Sequence, residues 1–279
     1  MLIEKNIFIY GVIISTGYGV VQIQGFLIAF IGEVFRICSF SFNSKTGLVV
    51  NLYQNDTMNL LIGALLLNPR NRVDQGCCVN AISSLATIIL GDFAIGSILD
   101  PVGNLIFNSA RIDVQYPWQI QSPAFGIIDR QSVSEAFQTG IISIDSMIPI
   151  GRGQRELIVG DRQTGKTSIG VDTCVNQRSS GLFCVYVPIG QKASCILEVF
   201  LALIRKDAIF YLTMVVASAS SSAVHQFLSA YTGSALCEFF LITGELASFV
   251  AFDDLSRHAM AYREIYLLLR RRSEERRVG

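Results

Sequence analysis

The chain is 279 residues long, enough to bury a sizeable core and to hold two domains. Its 22 basic and 22 acidic residues cancel, so no electrostatic footprint points to nucleic acid and none is expected as a partner. Charged residues make up 16% and mean hydropathy is +0.47, against about 25% charged in ordinary soluble chains; this implies a large buried interface, a membrane nearby or an eroded sequence.

In chain order, residues 6–32 carry no Asp, Glu, Lys or Arg, a length that could cross a bilayer. Ser15, Thr16, Gly17, Gly19, Gln22, Gln24 and Gly25 interrupt it, Val21 to Gln24 alternates with period two, and Thr16-Gly17-Tyr18-Gly19 reads as a tight turn. A hairpin of a small barrel is predicted, with a membrane helix as the alternative. Glu4 and Lys5 precede an interrupted apolar core, so no cleavable signal is expected. Short apolar runs such as 48–52 and 60–67 extend the all-β pattern to about residue 87. Residues 88–148 are transitional, with turn signals at 100–104 and at Ser122-Pro123.

From Gln154 the pattern changes to strands alternating with helices. Leu157-Ile158-Val159 is expected as a short buried strand, and Thr167 to Gln177 as a helix with Ile169, Val171, Cys174 and Val175 inward. Further strands are predicted at 182–187, 209–217 and 247–252. Helices are predicted at 192–205, with Ile196, Val199, Phe200 and Leu203 on one face, and around Leu228, Leu236, Phe239 and Phe240. The fold class is α/β with an N-terminal all-β barrel, a barrel domain at 1–87 and a parallel-sheet domain at 88–279. The seven cysteines show no metal spacing and are expected as reduced, mostly buried thiols, and His225 and His258 are too isolated for a metal site.

Between the first strand and its helix, Gly160 to Thr167 fits G-x-x-x-x-G-K-[ST]. A triphosphate needs many donors with no side chains in the way. Gly160 and Gly165 let the backbone of Asp161, Arg162, Gln163 and Thr164 curl so that N–H groups converge. Lys166 offers a point charge, Thr167 a hydroxyl for Mg²⁺, and the helix from Thr167 and Ser168 its positive dipole end. Strand, loop and helix occur in the order that ATP or ADP binding requires. Downstream, the apolar run 247–252 ends in Asp253-Asp254. A carboxylate at that strand tip is placed to reach Mg²⁺, and Asp253 is the candidate; the alternative is a helix N-cap at Asp253 or Asp254.

The run from Ile144 to Ser168 closely resembles the alpha subunit of rotary ATP synthase, as do 187–194, 231–236, 252–257 and 261–271. The likeness is strong over about 121–271 and weaker through the first third. It implies an N-terminal β-barrel and a RecA-like nucleotide domain. It also implies a hetero-hexameric ring of alpha and beta chains around a rotating gamma shaft, peripheral on its membrane. In P-loop ATPases of this architecture the second core strand presents a Glu that polarises water. Gln191 stands there, as in alpha subunits, so the resemblance implies a site that holds Mg-ATP, with no catalytic residue on this chain.

Residues 144–149 and 191–194 and the short connection 177–181 look more plastid-like than mitochondrial. A thylakoid location is therefore expected, with mitochondrial inner or bacterial plasma membranes as alternatives. The chain also departs from the family. Gly17-Tyr18-Gly19 and 20–24 lack the charges of the family's barrel turn, Ser248 and Ala251 replace bulkier residues, and 272–279 look foreign where a Pro-Pro-Gly segment is expected. Further strands, the arginine that reaches a neighbouring catalytic site and a helical domain are expected beyond the sequence, so the sheet reads as incomplete at the C-terminus and the product as aggregation-prone. A degenerate fragment without turnover or assembly, and a catalytic RecA-like ATPase or helicase, are the alternatives.

Overall fold

The computed structural model of the chain describes residues 10–25, 30–38, 45–54, 60–67, 73–107, 115–124, 126, 128, 130, 132–161, 163–244 and 247–269. Two compact units divide it: Met1–Thr87 with Ser221–Leu228 and Ser256–Gly279, and Ile88–Ser220 with Ser229–Leu255.

In the first unit, alternation of apolar and polar residues dictates strands with one buried face. These are β1 (Tyr10–Gly17), β2 (Val20–Gln24), β3 (Glu33–Cys38), β4 (Lys45–Gln54), β5 (Leu60–Leu66) and β6 (Cys78–Leu85). They close into an antiparallel barrel in the order β1-β2-β5-β4-β3-β6, which leaves no strand edge open. Along β2, Val21 and Ile23 are fully buried while Gln22 and Gln24 stay half-buried. Ile13 and Ile62, the register mates of Ile23, join them with Phe35, Ile37, Val49 and Val79 in one core cluster. Register shifts at Ile13/Ser15, Val34/Phe35 and Val49/Asn51 bend the strands round the barrel.

The expected turn is present. Gly17 pairs with Val20, leaving Tyr18 and Gly19 as a two-residue loop with φ of 46° and 84°, the type I′ geometry that matches strand twist. The charge-free run thus forms a hairpin over Tyr10–Gly17 and Val20–Gln24. Among the described residues no helix is long and apolar enough to cross a membrane.

Two glycines set the barrel's tightest contacts. A Cβ on Gly47 would stand 2.2 Å from Phe35 Cζ and 2.8 Å from the Leu65 carbonyl oxygen; one on Gly63 would stand 2.6 Å from Leu269 Cδ2. In the same unit, the His258 ring stacks on Phe227 at 5.5 Å and its Nε2 lies 3.1 Å from the Phe227 carbonyl. Burial holds its pKa below the ordinary value, opposed by that carbonyl.

The second unit begins with short pieces: β7 (Thr87–Leu90), β8 (Ile98–Leu99), β9 (Leu105–Phe107), β10 (Tyr116–Gln119), β11 (Ala136–Phe137), α1 (Ile142–Met147) and β12 (Ile150–Gly151). Longer elements follow: α2 (Lys166–Asn176), β13 (Phe183–Gln191), α3 (Ala193–Arg205), β14 (Leu212–Val215), β15 (Ala217–Ser218), α4 (Ala223–Thr243), β16 (Ser248–Asp253) and α5 (Leu255–Leu268), the last of which runs on in the first unit. The main sheet runs β15-β13-β14-β8-β9, with β16 also on β13. β13 is parallel to β14, β15 and β16. Its continuous apolar run is buried from Phe183 to Gly190, as a parallel strand covered on both faces requires. From α4, Phe240 packs on Phe183 at 4.1 Å, and a Cβ on Gly233 would stand 2.6 Å from Val187 Cγ2.

Four expectations need correction. Leu157-Ile158-Val159 forms no strand and is 71%, 46% and 81% exposed; three residues without ladder bonds cannot offset the entropy of ordering an extended backbone. Ile209 to Tyr211 belongs to a 3₁₀ turn, Ala208–Tyr211, before β14. The transitional stretch contains β8, a strand of the main sheet parallel to β14. Its two residues are too few to show periodicity, although the Asp100 turn beside it is as expected: Asp100 Oδ1 accepts from Val102 N at 2.9 Å and Asn104 N at 2.8 Å. Finally, all seven cysteines are free, but only Cys174, Cys184 and Cys237 are buried. The tail at 272–279 lies outside the described residues.

Two measurements test this packing. Gly47→Ala should cost about 1–3 kcal/mol in urea unfolding, because the Leu65 carbonyl cannot move aside as a side-chain tip can; Gly17→Ala, whose Cβ meets nothing within 4 Å, should stay within about 0.5 kcal/mol of the parent. The second concerns pH. With its folded pKa depressed, the neutral form of His258 contributes stability that is present above the ordinary histidine value and is lost as pH falls through the lower folded one. The thermal midpoint should therefore drop on acidification below about pH 6.5, and His258→Gln should flatten that slope.

Candidate functional site

The site is built where α2 meets the tips of β13 and β16. α2 begins at Lys166 because Gly165 takes φ 89°, left-handed backbone that side-chain-bearing residues rarely adopt. No side chain caps the helix start, so its first N–H groups point into the loop. Gly160 serves a different need: a Cβ there would stand 2.9 Å from Thr164 Oγ1, which donates 2.8 Å to the Asp161 carbonyl. Asp161, Gln163, Thr164, Gly165 and Ser168 are exposed, with Gln163 at φ 64°. Arg162 lies outside the described residues. Lys166 Nζ donates to the carbonyls of Gly160 and, at 2.6 Å, of Asp161, which holds its ammonium inside the curl of the loop.

Asp253 is the last residue of β16 and sits opposite Pro188 in the parallel register with β13. Thr167 Oγ1 donates 2.9 Å to Asp253 Oδ2, and the Tyr186 hydroxyl donates 2.7 Å to the same oxygen. Gln191, the last residue of β13, donates from Nε2 to the Asp253 carbonyl at 3.3 Å. Thr167, Gln191 and Asp253, far apart in the chain, therefore converge. Asp254 directly precedes α5, while the Asp253 side chain is engaged by two hydroxyls.

Tyr186 is the residue that sequence reasoning passed over. Its signal was a hydroxyl in an otherwise apolar strand, since a buried phenol needs a partner. Burial first, and then the Asp253 charge, push that phenol's pKa well up, so it remains a proton donor. The far end of α2 is fixed separately. Asn176 Nδ2 donates 2.9 Å to the Thr139 carbonyl and Gln177 Nε2 donates 2.7 Å to the Gln138 carbonyl. Asp145 in turn accepts from Thr139 N at 2.9 Å, Thr139 Oγ1 at 2.7 Å and Gly140 N at 2.8 Å, and the Thr139 hydroxyl leads in holding its carboxyl below the usual range. α2 is thus held at both ends, and the loop at its start is open to solvent.

The donor set fits a hard dication beside a polyphosphate. Mg²⁺ takes oxygen ligands, keeps several waters and uses one or two protein oxygens plus phosphate; a hydroxyl and a carboxylate 2.9 Å apart supply those oxygens. A dedicated all-protein cage is not present: among the described residues no group of three or more His, Cys, Asp or Glu comes together.

Residues 140–277 match the ATP synthase alpha/beta family, nucleotide-binding domain. The chain is also similar to the ATP synthase subunit alpha of Dichelobacter nodosus (strain VCS1703A), 41% identical over 261 residues that cover 94% of this chain and 49% of that protein. The chain therefore spans about half the length of the curated relative it matches. A loop of this design at the start of α2, and a resemblance that runs through both the barrel and the sheet, place the chain in the ATP synthase alpha/beta family, with its likeness to the alpha subunit.

Proposed function

We propose that this chain is a non-catalytic, Mg-ATP-binding alpha subunit of the proton-translocating ATP synthase, with 1–87 as its barrel domain and 88–279 as its nucleotide-binding domain. The observation that carries the reading is the side chain at the tip of β13. An amide has no basic site at neutral pH and cannot accept a proton from attacking water. Gln191 moreover spends its amide N–H on the Asp253 carbonyl, which supports a holding role over a water-activating one.

In this reading the backbone of Gly160, Asp161, Arg162, Gln163, Thr164 and Gly165 cradles the phosphates of ATP or ADP. Lys166 faces the β- and γ-phosphates, Thr167 and Ser168 bring the helix N-terminus to them, and Thr167 and Asp253 face Mg²⁺. When bound, Mg²⁺ neutralises phosphate charge. Synthesis itself occurs at the alpha–beta interface on the beta chain, in a ring of alpha and beta subunits around the gamma shaft. The complex is peripheral on its membrane, and the plastid-like runs at 144–149, 177–181 and 191–194 favour the thylakoid.

Binding of trinitrophenyl-ATP to the full chain tests the cradle. Lys166→Ala should weaken it by roughly tenfold to a hundredfold, the equivalent of losing a charge-assisted hydrogen bond of about 1.5–3 kcal/mol; unchanged binding would remove the assignment. Hydrolysis of Mg-ATP by the chain alone should not exceed the solution background. Turnover that disappears in Gln191→Ala would instead favour the catalytic reading, in which a glutamine orients water as in some GTPases.

A further inference from the structure

The Tyr186 hydroxyl has no part in the cradle described above, yet it donates to the very oxygen that Thr167 addresses. Tyr186 is 1% exposed, on a strand whose other buried residues need no polar partner. In the parallel register it stands opposite Ala251, two residues before Asp253 on the same strand face. A methyl group at 251 leaves the phenol room to extend along β16 to the carboxylate. Ser248 to Asp253 are all only half-buried, so packing alone does not hold the Asp253 rotamer.

We propose that Tyr186 is a positioning residue for the metal-facing carboxylate: its hydrogen bond to Asp253 Oδ2 fixes the side chain in the orientation that the Thr167 hydroxyl and a hydrated dication require. The inference rests on the reading of Thr167 and Asp253 as the residues that face Mg²⁺. Two hydroxyl donors converging on one oxygen define the plane and the rotamer of the carboxylate, and leave Oδ1 as the acceptor for metal-bound water. Partners of this kind behind a ligating carboxylate commonly affect metal affinity by 10- to 100-fold. A tyrosine that merely satisfies its own hydroxyl would affect stability and leave the metal dependence unchanged.

The test compares trinitrophenyl-ATP affinity in Mg²⁺ with that in EDTA, on the full chain. The parent should bind more tightly with Mg²⁺, and Asp253→Asn should abolish that advantage. Tyr186→Phe should leave the EDTA affinity unchanged and lower the Mg²⁺ advantage by about tenfold. A Tyr186→Phe chain with the parental ratio overturns the positioning role while the metal reading stands. A parent that shows no Mg²⁺ advantage, or an Asp253→Asn chain that keeps the parental one, overturns both. Should Tyr186→Phe lose EDTA binding through misfolding, Ala251→Val decides: it keeps the phenol but crowds its path, so the same drop in ratio supports the proposal and a parental ratio overturns it.

Discussion

The nucleotide-binding half depends on one acceptor, Asp253 Oδ2. Two hydroxyls reach it from different elements, Thr167 from the first turn of α2 and Tyr186 from the middle of β13. Hydrogen bonds to a charged group contribute about 1.5–3 kcal/mol each, and a buried phenol left without its acceptor would cost a comparable amount. The carboxylate thus joins helix start, core strand and edge strand at one atom. Without that junction the start of α2, and with it the loop from Gly160 to Gly165, would lose its tie to the sheet.

Rigidity and exposure are divided along the chain. β13 is buried on both faces, gripped by Phe240 on Phe183 and by the close approach of Gly233 to Val187. The tips of β13 and β16 carry polar groups, and the loop before α2 is open to solvent. An open loop on a packed scaffold suits recognition: a ligand must reach the donors, so they sit in the open, while their placement is inherited from packed elements. The barrel obeys the opposite logic. Its apolar side chains gather in one inner cluster, its ladder closes on itself, and its tightest positions, Gly47 and Gly63, are set by the close approach of Phe35 and Leu269.

The long apolar and alternating elements were legible in the sequence. β2 announces itself in Val21-Gln22-Ile23-Gln24, β13 in its unbroken apolar run, and the loop that opens α2 in the glycine-bounded stretch from Gly160 to Gly165. Convergence of Gln191 and Asp253 was legible as a consequence of strand order, since parallel strands deliver their carboxyl ends to one rim; Thr167 joins them from the first turn of α2. What escaped was whatever depends on a partner remote in sequence. β8 is two residues long and exists because β14 pairs with it. Tyr186 looked like one more core residue until register placed it across from Ala251. Leu157 to Val159 had the composition of a strand, but composition supplies no ladder.

That last failure bears on how the loop must work. The chain enters the cradle through three apolar residues that are largely exposed and bonded to no strand, and it leaves through a helix held at both ends. The entrance is therefore the adjustable side and the exit the fixed one. Lys166 reflects the asymmetry: its ammonium reaches back to the carbonyls of Gly160 and Asp161, a link from the fixed side to the adjustable one. A phosphate that engages Lys166 competes with those carbonyls for the same protons, so part of the binding energy goes into exchanging internal bonds for external ones, and the observed affinity is lower than the contact list alone would give. A residue that stiffened the entrance in the phosphate-ready curl would raise affinity without touching the ligand, as pre-organisation does elsewhere.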